Sequence, residues 1–356
     1  MKIVVYSNLA DGGAKQIMLR IAKELKKNHE IHAISPVKKI RFINFIHYLY
    51  YIYFLYPKIN ASIANKIKII NPELVLLSHD YLTKSPIVLQ SLVNTIYICH
   101  EEPREFYDDS RYLNSKIKYK LVNLFRLPLK YIDYINVKRA LIVLSNSRYS
   151  QHKLTNIYKR PIDILPMAIP LHIRPYITER NNYYLTIGST SKFKGVDFLI
   201  QSISMLPSEY RHPLIIVGNV GRDHEHIINL AYKLNVKLIH RNNINNKQIN
   251  KLYNSSLLLL AAAHNEPFGL SIIEALRCKL PVVAVNEGGY RETIDNFVIK
   301  NYSGYITNRS EVDFSNAIIK ALKTNHNNSD KVSEYIKNKY NWESTMKKLN
   351  NIINTL

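Results

Sequence analysis

His264-Asn265-Glu266-Pro267-Phe268-Gly269-Leu270-Ser271-Ile272-Ile273-Glu274-Ala275-Leu276 is the stretch that decides how this chain reads. Just before it, Ser256-Leu257-Leu258-Leu259-Leu260-Ala261 is an apolar run long enough for a buried strand and too short for most helices. From Ser271 to Cys278 the residues favour a helix. A strand, a short loop and a helix together point backbone N–H groups at an anion. Glycine at position 269 would let the chain approach a phosphate closely. Two carboxylates flank that point, Glu266 in the loop and Glu274 about one turn into the helix. The loop carboxylate can reach a sugar and the helix carboxylate the ribose of a nucleotide held between them. A plainer reading fits the same residues: Ser271-Ile272-Ile273-Glu274 matches a capping box, in which Ser and Glu satisfy free donors at a helix start.

At 356 residues the chain is long enough for two domains, each with its own core. A hydrophobic content of 46% belongs to soluble globular proteins. Cys99 and Cys278 are too few for a disulfide framework and lack metal-ligand spacing, which points to a reducing compartment. The start Met-Lys-Ile-Val-Val-Tyr turns at once into a glycine loop, so no signal peptide is expected and the expected location is cytoplasmic. The formal net charge of +22 suits nucleic acid, an anionic membrane surface or a phosphate-bearing substrate. Between Arg111 and Arg160 there are twelve Lys or Arg and one acid, Asp133, interleaved with tyrosines. The richness in Ile, Lys, Asn and Tyr also fits an AT-rich genome, which discounts the charge as a signal.

Strands and helices alternate along the chain. Lys2–Tyr6 reads as a buried strand, followed by the glycine loop Asn8–Ala14 with Gly12 and Gly13, then a helical stripe of Ile17, Ile21 and Leu25. Glu30–Ser35 completes a βαβ unit. No Gly-x-Gly-x-x-Gly appears, which argues against a dehydrogenase. Ile40–Tyr56 is the most apolar segment, ending at Pro57. Arg41, Asn44 and His47 interrupt it at three-residue spacing, so it reads as an amphipathic helix rather than a membrane span. Leu74–Leu77 and Thr95–Cys99 are further strands; the second leads into His100-Glu101-Glu102-Pro103. A histidine at the carboxyl end of a parallel strand sits where open α/β sheets bind ligands. Ala140–Leu144 precedes Ser145-Asn146-Ser147-Arg148, and Pro166, Pro170 and Pro175 stiffen the linker beyond them. A second series restarts at Tyr183–Gly188 and continues through Ser189–Gly195, Leu214–Gly218 and Val236–Ile239. Asp223-His224-Glu225-His226 reads as the polar face of a helix rather than a metal site.

The pair Glu266/Glu274, set in Glu-Pro-Phe-Gly-Leu-Ser-Ile-Ile-Glu-Ala, resembles the signature of retaining glycosyltransferases of family 4. Glu287-Gly288-Gly289-Tyr290-Arg291-Glu292, after the strand Leu280–Val285, is similar to the turn that closes their donor site. The resemblance implies an α/β protein of the GT-B fold, two Rossmann-like domains with parallel sheets facing each other across a cleft. The expected division is an acceptor-side domain over 1–170, a nucleotide-sugar domain over 171–335 and a helix over 336–356 that crosses back. Carried over residue by residue, Glu266 and His100 act on the donor sugar, from opposite sides of a cleft that closes for catalysis. Gly12, Gly13, Lys192, Lys194, Phe268, Gly269, Leu270 and Glu274 line the donor. Three departures stand out: Glu101 where relatives often have Asp, Met167-Ala168 in place of Asn-Gly, and Ser189 in place of an arginine.

The same resemblance implies an enzyme that moves a sugar from a nucleotide-sugar to an acceptor hydroxyl with retention. No cofactor is expected, and no metal, since no Asp-x-Asp occurs in the chain. The acceptor class (glycan, lipid-linked glycan or protein) stays open. The charge adds an expected peripheral contact with an anionic membrane, through residues 40–56 and 111–139, on the inner face of the membrane. Nucleic acid is not expected as a partner. The alternatives are a nucleotide-sugar epimerase or phosphorylase on the same scaffold, and a non-catalytic basic binding protein.

Overall fold

The computed structural model describes residues 1–9, 12–35, 43–80, 83–88, 92, 94–101, 103–107 and 124–356. Ala10 and Asp11 of the glycine loop, residues 40–42, Glu102 and the first part of the basic aromatic stretch, 111–123, lie outside them. The chain divides into two compact units, Met1–Leu165 with Lys348–Leu356, and Pro166–Lys347. The division thus falls at Leu165 rather than 170, and the segment that rejoins the first unit starts at Lys348 rather than 336.

In the first unit β1 (Lys2–Tyr6), β2 (Glu30–Ile34), β3 (Leu74–Ser78), β4 (Thr95–Ile98), β5 (Ile142–Ser145) and β6 (Asp163–Ile164) form one sheet, ordered β2-β1-β3-β4-β5-β6. Every neighbouring pair is parallel. Parallel strands covered by helices on both faces need apolar side chains in unbroken runs, and β3 is buried at all five positions. Tyr6, Leu77, Tyr97, Val143, Leu154 and Tyr158 share the resulting core.

The segment expected to end at Pro57 continues through it. Helices run over Phe45–Tyr50 and Tyr56–Ile70, joined by a π-helical turn at Tyr51–Leu55. Proline has no N–H to donate and its ring crowds the carbonyl four residues back. A widened turn relieves both, and the N–H of Tyr56 bonds the carbonyl of Tyr51, five residues back. The helix survives because the proline arrives where the hydrogen-bond ladder has already shifted.

Asp133 is fully buried beneath this sheet. Its carboxylate accepts from the Ser85 N–H at 2.9 Å, the Tyr158 hydroxyl at 2.8 Å and the Tyr107 hydroxyl at 3.2 Å. Burial pushes its pKa up to about 6, against the opposing pull of these donors. It is a structural carboxylate, which accounts for the one acid in the basic stretch.

The second unit holds β7 (Tyr184–Ile187), β8 (Leu214–Val217), β9 (Leu238–Arg241), β10 (Leu258–Ala261), β11 (Val282–Val285) and β12 (Gly304–Thr307). They lie in the order β12-β11-β10-β7-β8-β9, again all parallel. Two three-strand halves wind outward from β7 and β10, and the order reverses between those two strands. Ligands of doubly wound sheets bind at the carboxyl ends of the strands at such a reversal. Helices Ser329–Lys339 and Trp342–Asn354 end the described chain. Trp342 donates its indole N–H to the Ile169 carbonyl at 3.0 Å, and Thr345 its hydroxyl to Pro166 at 2.8 Å.

Asp133→Ala leaves the buried Ser85 N–H and Tyr158 hydroxyl without their acceptor, while Tyr107 keeps the Lys130 carbonyl at 3.4 Å. It is expected to cost the first unit about 3 kcal/mol, read as a lower midpoint in urea unfolding. A loss below about 1 kcal/mol would mean that water or a neighbour replaces the carboxylate.

Candidate functional site

The loops leaving β7 and β10 carry the residues the sequence singled out. Lys192–Lys194 form one turn of 3-10 helix after β7, and Glu266 lies in the loop after β10. Lys194 donates its ammonium to the Glu266 carboxylate at 2.9 Å, with both side chains about one-quarter exposed. Two predicted site residues, 72 positions apart, therefore meet at the strand reversal. The N–H of His264 bonds the Phe193 carbonyl at 2.8 Å and holds the two loops side by side.

The β7 loop is fixed by its own anchors. Lys192 donates its backbone N–H to Asp223 at 2.8 Å, and Thr190 accepts the Gly221 N–H at 2.8 Å. The ammonium of Lys192 makes no ion pair among the described residues. Ser189, standing where relatives have arginine, shares a hydrogen bond of 3.1 Å with Ser191. Asp223 and His224, expected only as a polar helix face, brace this loop; His224 Nδ1 lies 3.1 Å from the Thr190 hydroxyl. Among the described residues no group of three His, Cys, Asp or Glu is placed to hold a metal ion.

The helix after β10 spans Leu270–Arg277 and starts at Gly269, whose φ of 97° suits glycine and few other residues. A β-carbon there would also lie 2.8 Å from the Tyr290 ring. No side chain caps this helix, so the capping-box reading of Ser271 and Glu274 fails. Ser271 sits inside the first turn, and Glu274 accepts the Tyr253 hydroxyl at 2.5 Å. Leu270 is half-buried at the helix start. Phe268 is buried with its ring edge-on to Tyr340, centroids 5.6 Å apart.

A third loop, after β11, closes on the first two. Gly288 has a φ of 58°, and a β-carbon there would stand 2.4 Å from the Glu266 carbonyl oxygen. That oxygen accepts the Gly289 N–H at 2.7 Å. Glu287 accepts from Arg309 through Nε at 2.7 Å and Nη2 at 2.8 Å, and Nη2 also reaches the Ala262 carbonyl at 3.0 Å. Burial alone would raise the Glu287 carboxyl, but the Arg309 bonds outweigh it and hold it below the usual carboxylate range. Arg309 and Tyr253 were invisible to sequence reading: each is an isolated residue far from the motif it serves.

In the first unit, Gly12 caps the helix Gly13–Leu25 with its backbone extended, and both glycines are exposed. His100 follows β4 and is buried; its Nε2 meets no hydrogen-bond partner among the described residues. Desolvation, with the nearby His79 adding to it, pushes its pKa down to about 3, so the imidazole is neutral at physiological pH. Asn146, from the Asn-Ser-basic turn, donates to the His100 carbonyl at 2.7 Å and fixes that backbone. Glu101 pairs with Arg104 at 2.5 Å.

Burial pushes the Glu274 carboxyl up to about 7 from an ordinary 4.5, with the Tyr253 hydrogen bond opposing it. Between those two values the folded protein keeps a proton that the unfolded chain releases. Stability supplied by this site therefore falls as pH rises from about 4.5 to 7. Glu274→Gln is expected to remove that slope, so that the variant gains on the parent as pH rises, read from melting temperatures across the window. Parallel curves for the two proteins would contradict the shift.

Residues 172–342 match the model of the family described as glycosyl transferases group 1. A probable sucrose-phosphate synthase of Thermosipho melanesiensis is 27% identical over 222 residues, 58% of this chain and 51% of that one. The chain thus spans about half the length of that relative. Among solved structures, a sucrose-phosphate synthase of Thermosynechococcus elongatus superposes with a TM-score of 0.81 at 15% identity, covering 99% of this chain and 98% of that one. Anabaena Alr3699/HepE in complex with UDP-glucose gives 0.74 at 16% identity, with both chains fully covered. These likenesses give the fold, the two parallel sheets of the GT-B class. Through residues 172–342, just under half of its length, the chain is similar to the group 1 glycosyl transferases.

Proposed function

We propose that this chain moves a sugar from a nucleotide-sugar donor to an acceptor hydroxyl with retention of anomeric configuration, as a family 4 glycosyltransferase needing no divalent metal. The Lys194–Glu266 ion pair at the strand reversal carries the reading. It puts one cation and one carboxylate together where a nucleotide-sugar has a diphosphate next to a sugar. The complex of Anabaena Alr3699/HepE with UDP-glucose supports a donor of that class.

The chemistry rests on charge. A departing diphosphate gains negative charge as the glycosidic bond breaks, so a fixed cation stabilises the transition state more than the ground state. When the donor arrives, its phosphates compete with Glu266 for the Lys194 ammonium. Glu266 is then released towards the sugar hydroxyls and the reacting carbon. Lys192 adds a second cation, partly replacing the arginine missing at Ser189; a lysine offers a point charge rather than a two-pronged fork. The helix start at Gly269 and Leu270 and the Gly12-Gly13 turn add backbone donors. The acceptor oxygen attacks the face the phosphate leaves, and the phosphate takes its proton. Glu274 binds the ribose hydroxyls; near pH 7 its carboxyl can both donate and accept. His100 enters as a neutral imidazole, a hydrogen-bonding group for the donor sugar rather than a cation. The acceptor is a glycan, a lipid-linked glycan or a protein hydroxyl.

The test is a screen of UDP-, GDP- and ADP-sugars with and without acceptors, with analysis of the products. Epimerised donor or phosphorolysis in place of glycoside would replace the transferase reading, and activity lost to a chelator and restored by Mg²⁺ would end the metal-free one. With the donor found, Lys194→Ala is expected to lower kcat/KM about 10- to 200-fold, the worth of one charge-assisted hydrogen bond. Glu266→Gln should lose kcat, whereas Glu274→Ala should mainly raise KM, because a ribose contact serves ground and transition states alike. An unchanged rate in Lys194→Ala would remove the diphosphate from this loop.

A further inference from the structure

The first unit presents an apolar face that its own core leaves uncovered. Ile46, Tyr50 and Phe54 recur at four-residue steps along the helical segment before Pro57, Ile43 lies just ahead of its first turn, and each is more than half exposed. Leu124, Leu127 and Tyr131 repeat that spacing into the helix Leu127–Arg139, and they too are more than half exposed. The inward sides of the same two segments pack together, Tyr51, Ile52 and Tyr56 against Leu129. Phe45 meets Phe125 edge-on with centroids 5.7 Å apart, and Arg126 donates to the Tyr48 hydroxyl at 3.2 Å. The two exposed rows therefore flank one packed seam.

Charge on these segments has a single sign. Residues 43–72 contain no Asp or Glu, and Lys58 extends the exposed row by one more turn. Residues 124–160 contain one acid, Asp133, which is fully buried, alongside the exposed Lys138 and Arg139. Aliphatic and aromatic side chains rimmed by cations fit the boundary between acyl chains and anionic headgroups. Nucleic acid fits less well, since Ile43, Ile46, Leu124 and Leu127 offer no ring for a base to stack on. A second copy of the chain would set like charge against like charge. No helix among the described residues is long and apolar enough to cross a membrane.

We propose that this face docks the chain peripherally on an anionic lipid surface, with Ile46, Tyr50, Phe54, Leu127 and Tyr131 at the acyl boundary and Lys58, Lys138 and Arg139 at the headgroups. The inference goes beyond sugar transfer and does not rest on it. The whole chain is floated with vesicles of phosphatidylcholine alone and of phosphatidylcholine mixed with phosphatidylglycerol, with no donor present. Binding is expected on the mixed vesicles only, weakening as salt rises. The triple variant Ile46→Ser, Tyr50→Ser, Phe54→Ser is expected to bind about tenfold more weakly or worse, with an unchanged melting temperature. Lys58→Gln with Lys138→Gln keeps the apolar row and is expected to lose about three- to tenfold, which covers the case in which the triple variant unfolds. The proposal is overturned if the parent binds neither vesicle or both alike, or if both variants bind as the parent does. It is also overturned if the triple variant instead loses RNA binding or self-association that the parent shows without vesicles.

Discussion

The Glu266 carbonyl and Gly288 touch where a β-carbon has no room, and the geometry of the second unit's site depends on that contact. The Gly289 N–H closes on the same carbonyl at 2.7 Å, so the main chain of Glu266 is held from one side. On the other side Phe268 is locked against Tyr340 and Gly269 turns the chain into its helix. With its backbone fixed at both ends, the Glu266 carboxylate has a narrow range of positions, and Lys194 lies within it. Placement of the charged groups is thus a matter of backbone packing between strand exits. The ion pair itself, part-exposed, would contribute little to holding the loops together.

The three carboxylates of this site each face a different donor. Glu287 meets a two-pronged guanidinium that holds its carboxyl below the usual range against the opposing pull of burial. Glu274 meets only a phenol in a desolvated setting and titrates near neutrality. Glu266 meets the part-exposed ammonium of Lys194 at 2.9 Å. One site therefore holds a carboxylate pinned by a guanidinium, one poised between two protonation states and one paired with an ammonium.

Much of this was legible in the sequence, for a definite reason. Strands buried on both faces must be continuously apolar, so runs such as Leu74–Leu77 and Ser256–Ala261 could be placed within a residue or two. The loop glycines were readable because close backbone approach leaves few other choices. Local patterns misled where a distant partner outbid them. Ser271 and Glu274 have capping-box spacing, yet the buried Tyr253 hydroxyl takes the carboxylate. Pro57 has the look of a helix end, yet a π turn absorbs it. β12, a Gly-Tyr-Ile-Thr strand at the sheet edge, carries too short an apolar run to announce itself, and β9 lies two residues beyond the run that signalled it. Arg309 and Tyr253 reach the site by folding alone, and nothing in their neighbourhoods marks them.

The first unit borrows its last piece, Lys348–Leu356, from beyond the whole of the second. Leu349 and Ile353 in that piece are fully buried, so they are part of a finished interior rather than a decoration. On a ribosome adding about 5–20 residues per second, roughly 10–40 s separate the emergence of Leu165 from that of Lys348. During that interval the first sheet can form, but the apolar surface that Leu349 and Ile353 will cover stays open to water and to other nascent chains. The second unit, continuous in sequence, has no such wait. Order of synthesis and order of completion are therefore reversed: the half that is made first is the half that is finished last.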